Sequence, residues 1–265
     1  MLSKLIRSVV KFNLRLSDGM ERAAKKYTAR QSGMSEFDDS ILPELLKPDL
    51  RVLDVGGGKY PRIDMETKRK LGLYVVGLDI SHDELQRAPV GAYDRTIVGD
   101  VADVEIGESF DLILSHTVLE HVSENVSAMR NLAAALAEGG VMAHHVPCSN
   151  APYAIVNRLL GPKLSRKVLL AFYPDRSEIA GFDAYYDHCT PSKMRKLCEQ
   201  NGLQISEMIP YYASDYLRFC APIYAVDLLR QLGLMWVRAL PAAETFTFIA
   251  CKPAAAHTSP HQRAA

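Results

Sequence analysis

The sequence has no pair of cysteines at Cys-x-x-Cys spacing. Its five cysteines (Cys148, Cys189, Cys198, Cys220 and Cys251) are scattered and odd in number. That argues against a zinc-ribbon ligand set and against a disulfide framework, and reduced thiols in a cytoplasmic chain are the simplest reading. Neither charge is in excess: 31 Lys and Arg stand against 31 Asp and Glu. Without a global basic field, no nucleic-acid partner is expected. No apolar run reaches the ~18 residues of a membrane span. The N-terminal stretch lacks the uninterrupted apolar segment of a signal peptide. Aromatic residues make up 8%, with a single tryptophan, and no internal repeat is visible. What remains is a chain of 265 residues. That is enough for one large α/β domain with a sizeable core, or for two small ones.

The charge is balanced overall but not along the chain. Eight basic residues, from Lys4 to Arg30, precede position 31 against only Asp18 and Glu21. Over residues 2 to 16, Leu2, Leu5, Ile6, Val9, Val10 and Leu16 fall on one side at helical spacing, and Lys4, Arg7, Lys11 and Arg15 mostly on the other. Such a helix either packs on the main domain or lies on an anionic membrane surface. Residues 29 to 40 are polar and read as loop, and Ile41 to Leu46 as a short helix stopped by Pro48.

From Arg51 the pattern becomes regular. Strands are expected at 51–55, 74–79, 94–98, 110–115, 140–146, 203–208 and 245–251. Helices are expected near 62–71, 82–88, 124–137, 191–200 and 221–232, with Thr190 and Pro191 as the start of the fourth. Residues 148 to 185 read as a helical insertion over the edge of the sheet. Alternating strands and helices give an α/β fold with a doubly wound, mostly parallel sheet. The expected layout is a helix and linker over 1–40, one domain over 41–252 with acceptor segments at 148–185 and 209–240, and a disordered tail over 253–265.

Ligands of such sheets bind outside the carboxyl ends of the strands. Strand one ends in Asp54 and the run Gly56-Gly57-Gly58. Consecutive glycines let the backbone turn with positive φ and let a ligand reach the main chain. Strand two ends in Asp79 and Ile80; strand three leads into Gly99-Asp100-Val101; strand four ends in Ser115-His116. A carboxylate after strand two can hold ribose hydroxyls, and one after strand three the amino group of an adenine. A nicotinamide dinucleotide fits less well, because Pro61 stands where its fingerprint needs a third glycine.

Four motifs in order carry a resemblance. Val52-Leu53-Asp54-Val55-Gly56-Gly57-Gly58, Gly77-Leu78-Asp79-Ile80-Ser81, Gly99-Asp100-Val101, and Phe110 to Ser115 followed by Val118-Leu119-Glu120-His121-Val122 resemble those of the class I S-adenosylmethionine-dependent methyltransferases. The resemblance implies a Rossmann-like seven-stranded sheet whose last strand is antiparallel. It implies that S-adenosylmethionine is the cofactor. It places the methionine portion at Gly56, Gly57 and Gly58, its ammonium at Asp54, the ribose at Asp79 and Ile80, and the adenine at Asp100 and Val101. Ser115 and His116 would face the methyl. The alternative is a noncatalytic binding protein of the same fold.

An acceptor hydroxyl must lose its proton, and a nearby histidine can take it. Candidate bases are His116, His121, His145 and His188, with His116 and His188 expected to be catalytic. Some relatives bind a metal through Glu-x-x-Glu-His after strand four. Here Glu120 and His121 are kept but Thr117 replaces the first glutamate, so no metal is expected. The aromatic residues of the acceptor segments suit a small-molecule acceptor or one linked to lipid or sugar. Peripheral membrane contact through residues 1–16 is the accompanying alternative.

Overall fold

A computed structural model of the chain describes residues 2–28, 32–172 and 182–254. The tail expected to be disordered falls, beyond Ala254, outside the described residues. So does the part of the expected insertion at 173–181.

The strands are β1 (Arg51–Val55), β2 (Tyr74–Asp79), β3 (Arg95–Val98), β4 (Phe110–His116), β5 (Leu136–Pro147), β6 (Gln204–Tyr211) and β7 (Thr245–Cys251). They form one sheet in the order β3-β2-β1-β4-β5-β7-β6. β7 runs antiparallel to both of its neighbours, and β1 to β5 are mutually parallel. The chain order reverses between β1 and β4, which makes their carboxyl ends the crevice where doubly wound sheets take ligands.

Side chains alternate between the two faces, and over the central strands both faces are buried, while the edge strands β3 and β6 stay largely open. Leu53, Val55, Ile113 and Phe248 sink into one core cluster with α6 (Asn125–Ala135) and α8 (Pro191–Gln200). Val52, Val75, Leu112 and Leu114 sink into another with Phe37, Ile41 and Leu42. The Thr190 helix start works as the sequence indicates, and α4 (Met65–Leu71) starts three residues later than expected, behind a cap of its own. Asp64 caps α4 by accepting from the Glu66 and Thr67 amides at 2.9 Å each, and Thr190 caps α8.

The structure differs from the sequence reading in three places. Residues 33 to 41 are helical rather than loop: α2 (Gly33–Glu36) runs through a π turn (Phe37–Ile41) into α3 (Leu42–Leu45). The polar string hides the spacing of Phe37, Ile41 and Leu42, which are 0, 8 and 4% exposed and cover one sheet face. The N-terminal helix α1 reaches from Leu2 to Tyr27 instead of ending near residue 16. It continues because tertiary partners stabilise it. Asn13 Oδ1 accepts from the Ala221 amide at 2.8 Å, and the Ser17 hydroxyl donates to the Arg218 carbonyl at 2.9 Å. Finally, α6 ends at Ala135 and β5 begins at once. Lys252 Nζ donates to the carbonyls of Ala133 (3.0 Å) and Leu136 (2.8 Å), satisfying groups a longer helix would have used.

α7 (Pro152–Phe172) supplies the helical insertion, broken at Gly161, where φ is 70°. α5 (His82–Gln86) links β2 to β3, and α9 (Ala221–Val237) precedes β7 and packs on α1.

Candidate functional site

The glycine run stands at the end of β1 and has no room for side chains. Gly56 has φ +70°, and a Cβ there would lie 2.4 Å from Val118 Cγ2. A Cβ on Gly57 would lie 2.4 Å from both Asp54 Oδ2 and the Tyr93 hydroxyl. Gly58 has φ +49° and would place a Cβ 3.0 Å from Asp79 Oδ2. The run therefore holds the backbone against two carboxylates and the chain that follows β4.

Asp54 is fully buried. Its Oδ2 accepts from the Arg62 amide at 2.9 Å and from the Tyr93 hydroxyl at 3.3 Å. Its Oδ1 has no partner among the described residues. Burial pushes its pKa up to about 6, against the pull of the Arg62 amide and guanidinium. Tyr93 is a site residue that the sequence reading missed. Its ring fills the space over Gly77, where a Cβ would come within 2.8 Å, and its hydroxyl also lies 3.3 Å from the Gly58 carbonyl. A glycine inside β2 was the available signal, because it marks close approach by another group.

Asp79 is half-buried at the end of β2, and its Oδ1 accepts from the Ser81 amide at 2.8 Å. Burial raises its pKa first, and the charge of Glu84 adds to the rise. Ile80 beside it is exposed, and the Gly99 amide ties the next strand end to the Asp79 carbonyl at 3.0 Å. Asp100 Oδ1 accepts from the Ala102 amide at 2.9 Å, with Val101 buried behind it.

The end of β4 divides between the two faces. Ser115 is buried, and its hydroxyl is 2.7 Å from His144 Nδ1 on β5. His116 points the other way, stacked 5.2 Å from the His145 ring and edge-on to Phe37 at 5.5 Å. Phe37 belongs to the turn that sequence reasoning took for loop, so that turn roofs His116. Arg62 joins the same roof, with Nη1 3.3 Å from Asp38 Oδ2. Burial lowers the His116 pKa, and the charge of Arg62 lowers it further, so the ring is neutral at neutral pH. Its Nε2 has no partner among the described residues. His145 is neutral as well, held down to about 3 by burial.

Past His116 the chain turns sharply at Thr117, where φ is 56°. Glu120 follows in a short 3-10 turn and is 5% exposed. Its Oε2 has no partner among the described residues, and burial pushes its pKa up to about 8. His121 Nε2 stands 3.6 Å from Glu120 Oε1, while its Nδ1 is 2.9 Å from the Asp183 carbonyl. Among the described residues no three His, Cys, Asp or Glu side chains gather as a metal ion would need. His188 sits by the start of α6, its Nδ1 2.6 Å from Asp187 Oδ1, whose Oδ2 accepts from the Asn125 amide at 2.9 Å. The structure thus brings Asp54, the glycines, Asp79 and Tyr93 together. It sets His116 under the Phe37 turn and keeps His188 beside Asp187. Tyr153 and Tyr216 stack 4.2 Å apart, with Tyr186 close enough to feel both Tyr216 and Glu120.

Comparison with known proteins decides the family. The model of a methyltransferase domain matches residues 16–207. The chain belongs to this family. It is one of the class I S-adenosylmethionine-dependent methyltransferases, and S-adenosylmethionine is the methyl donor they use. A ubiquinone biosynthesis O-methyltransferase of Nitrobacter winogradskyi is 28% identical over 183 residues, covering 67% of this chain and 66% of that protein. One from Ruegeria pomeroyi is 29% identical over 214 residues, covering 78% of this chain and 68% of its own length. The chain thus spans about two thirds of the length of these relatives. The solved S-adenosylmethionine-dependent methyltransferase of Mesorhizobium loti superposes with a TM-score of 0.53 at 18% identity, covering 82% of this chain and 98% of that one. That likeness confirms the fold.

The residues present fit the cofactor. A cation such as its ammonium would satisfy Asp54 Oδ1, which is buried and has no partner among the described residues, because an unpaired carboxylate oxygen away from water is costly. The glycine run sets its backbone directly against Asp54 and Asp79, the two carboxylates at the crevice.

Proposed function

We propose that this methyltransferase methylates an oxygen of a small or lipid- or sugar-linked acceptor. Asp54 would hold the donor's ammonium, Gly56, Gly57 and Gly58 its methionine portion, Asp79 and Ile80 the ribose, and Asp100 with Val101 the adenine. Ser115 would contribute through the end of β4, where its hydroxyl fixes the His144 ring. Bound there, S-adenosylmethionine supplies a methyl already activated by its sulfonium. The chain's own task is then to orient the acceptor and to hold the departing proton. His116 suits the second task. It is neutral near pH 7, its Nε2 is unpartnered, and it stands on the same sheet face as Asp54. His188 would act from the acceptor side, oriented by Asp187.

The observation that carries the reading is the unpartnered oxygen of buried Asp54 beside the glycine run. The oxygen acceptor draws support from the O-methyltransferase relatives, and an apolar or ring-bearing acceptor from the stacked Tyr153 and Tyr216. The test combines calorimetry with S-adenosylhomocysteine and radiolabelled methyl transfer into fractionated extract. His116→Ala and His188→Ala should each lower turnover at least tenfold with cofactor affinity nearly unchanged. Wild-type rates in both variants would discard the base assignment, and no binding of S-adenosylhomocysteine at millimolar concentration would sink the reading as a whole.

A further inference from the structure

α9 is apolar on the side that should be polar. Its inner face is set by Tyr224, Asp227, Leu228 and Gln231, all buried. The outer face carries Val226 (70% exposed), Leu229 (71%), Trp236 (88%) and Val237 (59%), with Gly233 between them. The spacing of three, four and three residues is that of one helical stripe. The helix has two charged residues, Asp227 and Arg230, and they pair with each other at 2.7 Å. Arg230 also binds Glu244, so neither charge serves the outer face. Exposed apolar patches of this continuity mark an interaction surface.

α1, which packs against α9, shows what kind of surface fits. Val9, Phe12 and Leu16 are 53, 62 and 45% exposed, and they follow one another at helical spacing. The exposed Lys11, Arg15, Arg22 and Lys26 form the neighbouring stripe. At 100° per residue, Arg15 stands about 60° around the helix from Phe12. Both acidic residues of α1 are turned to its inner seam, where Asp18 pairs with Arg218 and Glu21 Oε2 accepts from the Tyr224 hydroxyl at 2.5 Å. At the end of α9, exposed Arg238 follows Trp236 by two positions.

We infer that the outer faces of α1 and α9 together dock the enzyme on an anionic membrane surface, apolar side chains in the acyl boundary and cations at headgroup depth. The occupant is a lipid surface rather than a second protein copy because the apolar stripe of α1 is bordered by one sign of charge. An interface between two copies would bring those cations face to face. The docking is interfacial: no described helix is long and apolar enough to cross a membrane. It does not depend on which acceptor is methylated.

Trp236 is the single tryptophan of the chain and reports on the outer face of α9 alone. Full-length protein is titrated with vesicles of phosphatidylcholine, with and without 30% phosphatidylglycerol, and with brominated acyl chains. Anionic vesicles should shift Trp236 emission to the blue, brominated chains should quench it, and 0.5 M salt should weaken binding severalfold. Val226→Asp with Leu229→Asp, or Lys11→Glu with Arg15→Glu, should each lower vesicle affinity at least tenfold and leave S-adenosylhomocysteine affinity unchanged. No blue shift on anionic vesicles from protein that still binds S-adenosylhomocysteine would overturn the inference. So would a blue shift that follows protein concentration without lipid, with a dimer in sedimentation.

Discussion

Asp54→Asn should strengthen the free protein and weaken cofactor binding. The carboxylate titrates near 6 in the folded chain against 3.8 in its ordinary state. The folded protein therefore binds more protons than the unfolded chain between those values. Its stability falls as pH rises through that window, and above it the loss is constant at about 3 kcal/mol. Asparagine never ionises and escapes that loss. Its carbonyl can take over the bonds from the Arg62 amide and the Tyr93 hydroxyl. Its amide would then occupy the unpartnered position, at a cost of about 1–3 kcal/mol. The net expectation at pH 8 is a variant as stable as wild type or up to about 2 kcal/mol more so. Lowering the pH from 8 to 5 should stabilise the wild type by about 1–2 kcal/mol more than the variant, in which Glu120 still titrates but position 54 does not.

Binding should go the other way. A charge-assisted hydrogen bond to the ligand ammonium contributes about 1.5–3 kcal/mol, so S-adenosylhomocysteine should bind about 10- to 150-fold more weakly to the variant. Wild-type affinity should also fall as the pH drops from 7 to 5, because protonation discharges Asp54, and the variant should lack that dependence. Urea unfolding at pH 5 and 8 and calorimetry at the same values make the measurement. A variant several kcal/mol less stable at pH 8, with cofactor affinity intact, would refute the reasoning and make Asp54 a purely structural anchor for Arg62 and Tyr93.

Other perturbations probe the rest of the site. Glu120→Gln should reduce the pH dependence of stability and leave the part due to Asp54. Glu120 titrates near 8 when folded against an ordinary 4.5, so wild type loses up to about 5 kcal/mol more than the variant as pH rises through that interval; the same loss between pH 5 and 9 in wild type and variant would show that Glu120 does not ionise in a buried place. Gly33→Ala should destabilise by about 1–3 kcal/mol, since its Cβ would meet His145 Cε1 at 2.4 Å and the Tyr211 ring at 2.5 Å. An unchanged urea midpoint would mean that α2 does not pack on that face as tightly as the contacts demand.

Much of the fold was legible because its signals are local. Strand positions, the Thr190 cap and the glycine run each depend on neighbouring residues. The order of strand ends then puts Asp54 and Asp79 at one crevice from the sequence alone. What escaped the sequence depends on partners far along the chain. Tyr93 meets Asp54 across 39 positions, and nothing near Tyr93 announces it. The Phe37 turn looks polar because Asp38, Asp39 and Ser40 are exposed, yet its apolar residues cover β1 and β4. Ser115 read as a pocket residue from its place at a strand end. Alternation across β4 instead turns its hydroxyl to His144, and His116 takes the roofed face.

The two buried carboxylates with an oxygen unpartnered among the described residues mark where local rules and fold disagree. Asp54 ends β1, and Glu120 lies just past β4, on either side of the point where strand order reverses. A protein optimised for stability alone would replace both, since ionising either one in its buried place costs more than packing returns. Their surroundings differ in a way that separates their roles. Asp54 is held by the Arg62 amide and the Tyr93 hydroxyl, which favour its charged form once burial is overcome by a cation. Glu120 is opposed by burial and draws relief from its own backbone amide alone, so it stays protonated at neutral pH. Asp54 is thereby poised to meet a positive ligand, whereas Glu120 is kept as a neutral acid.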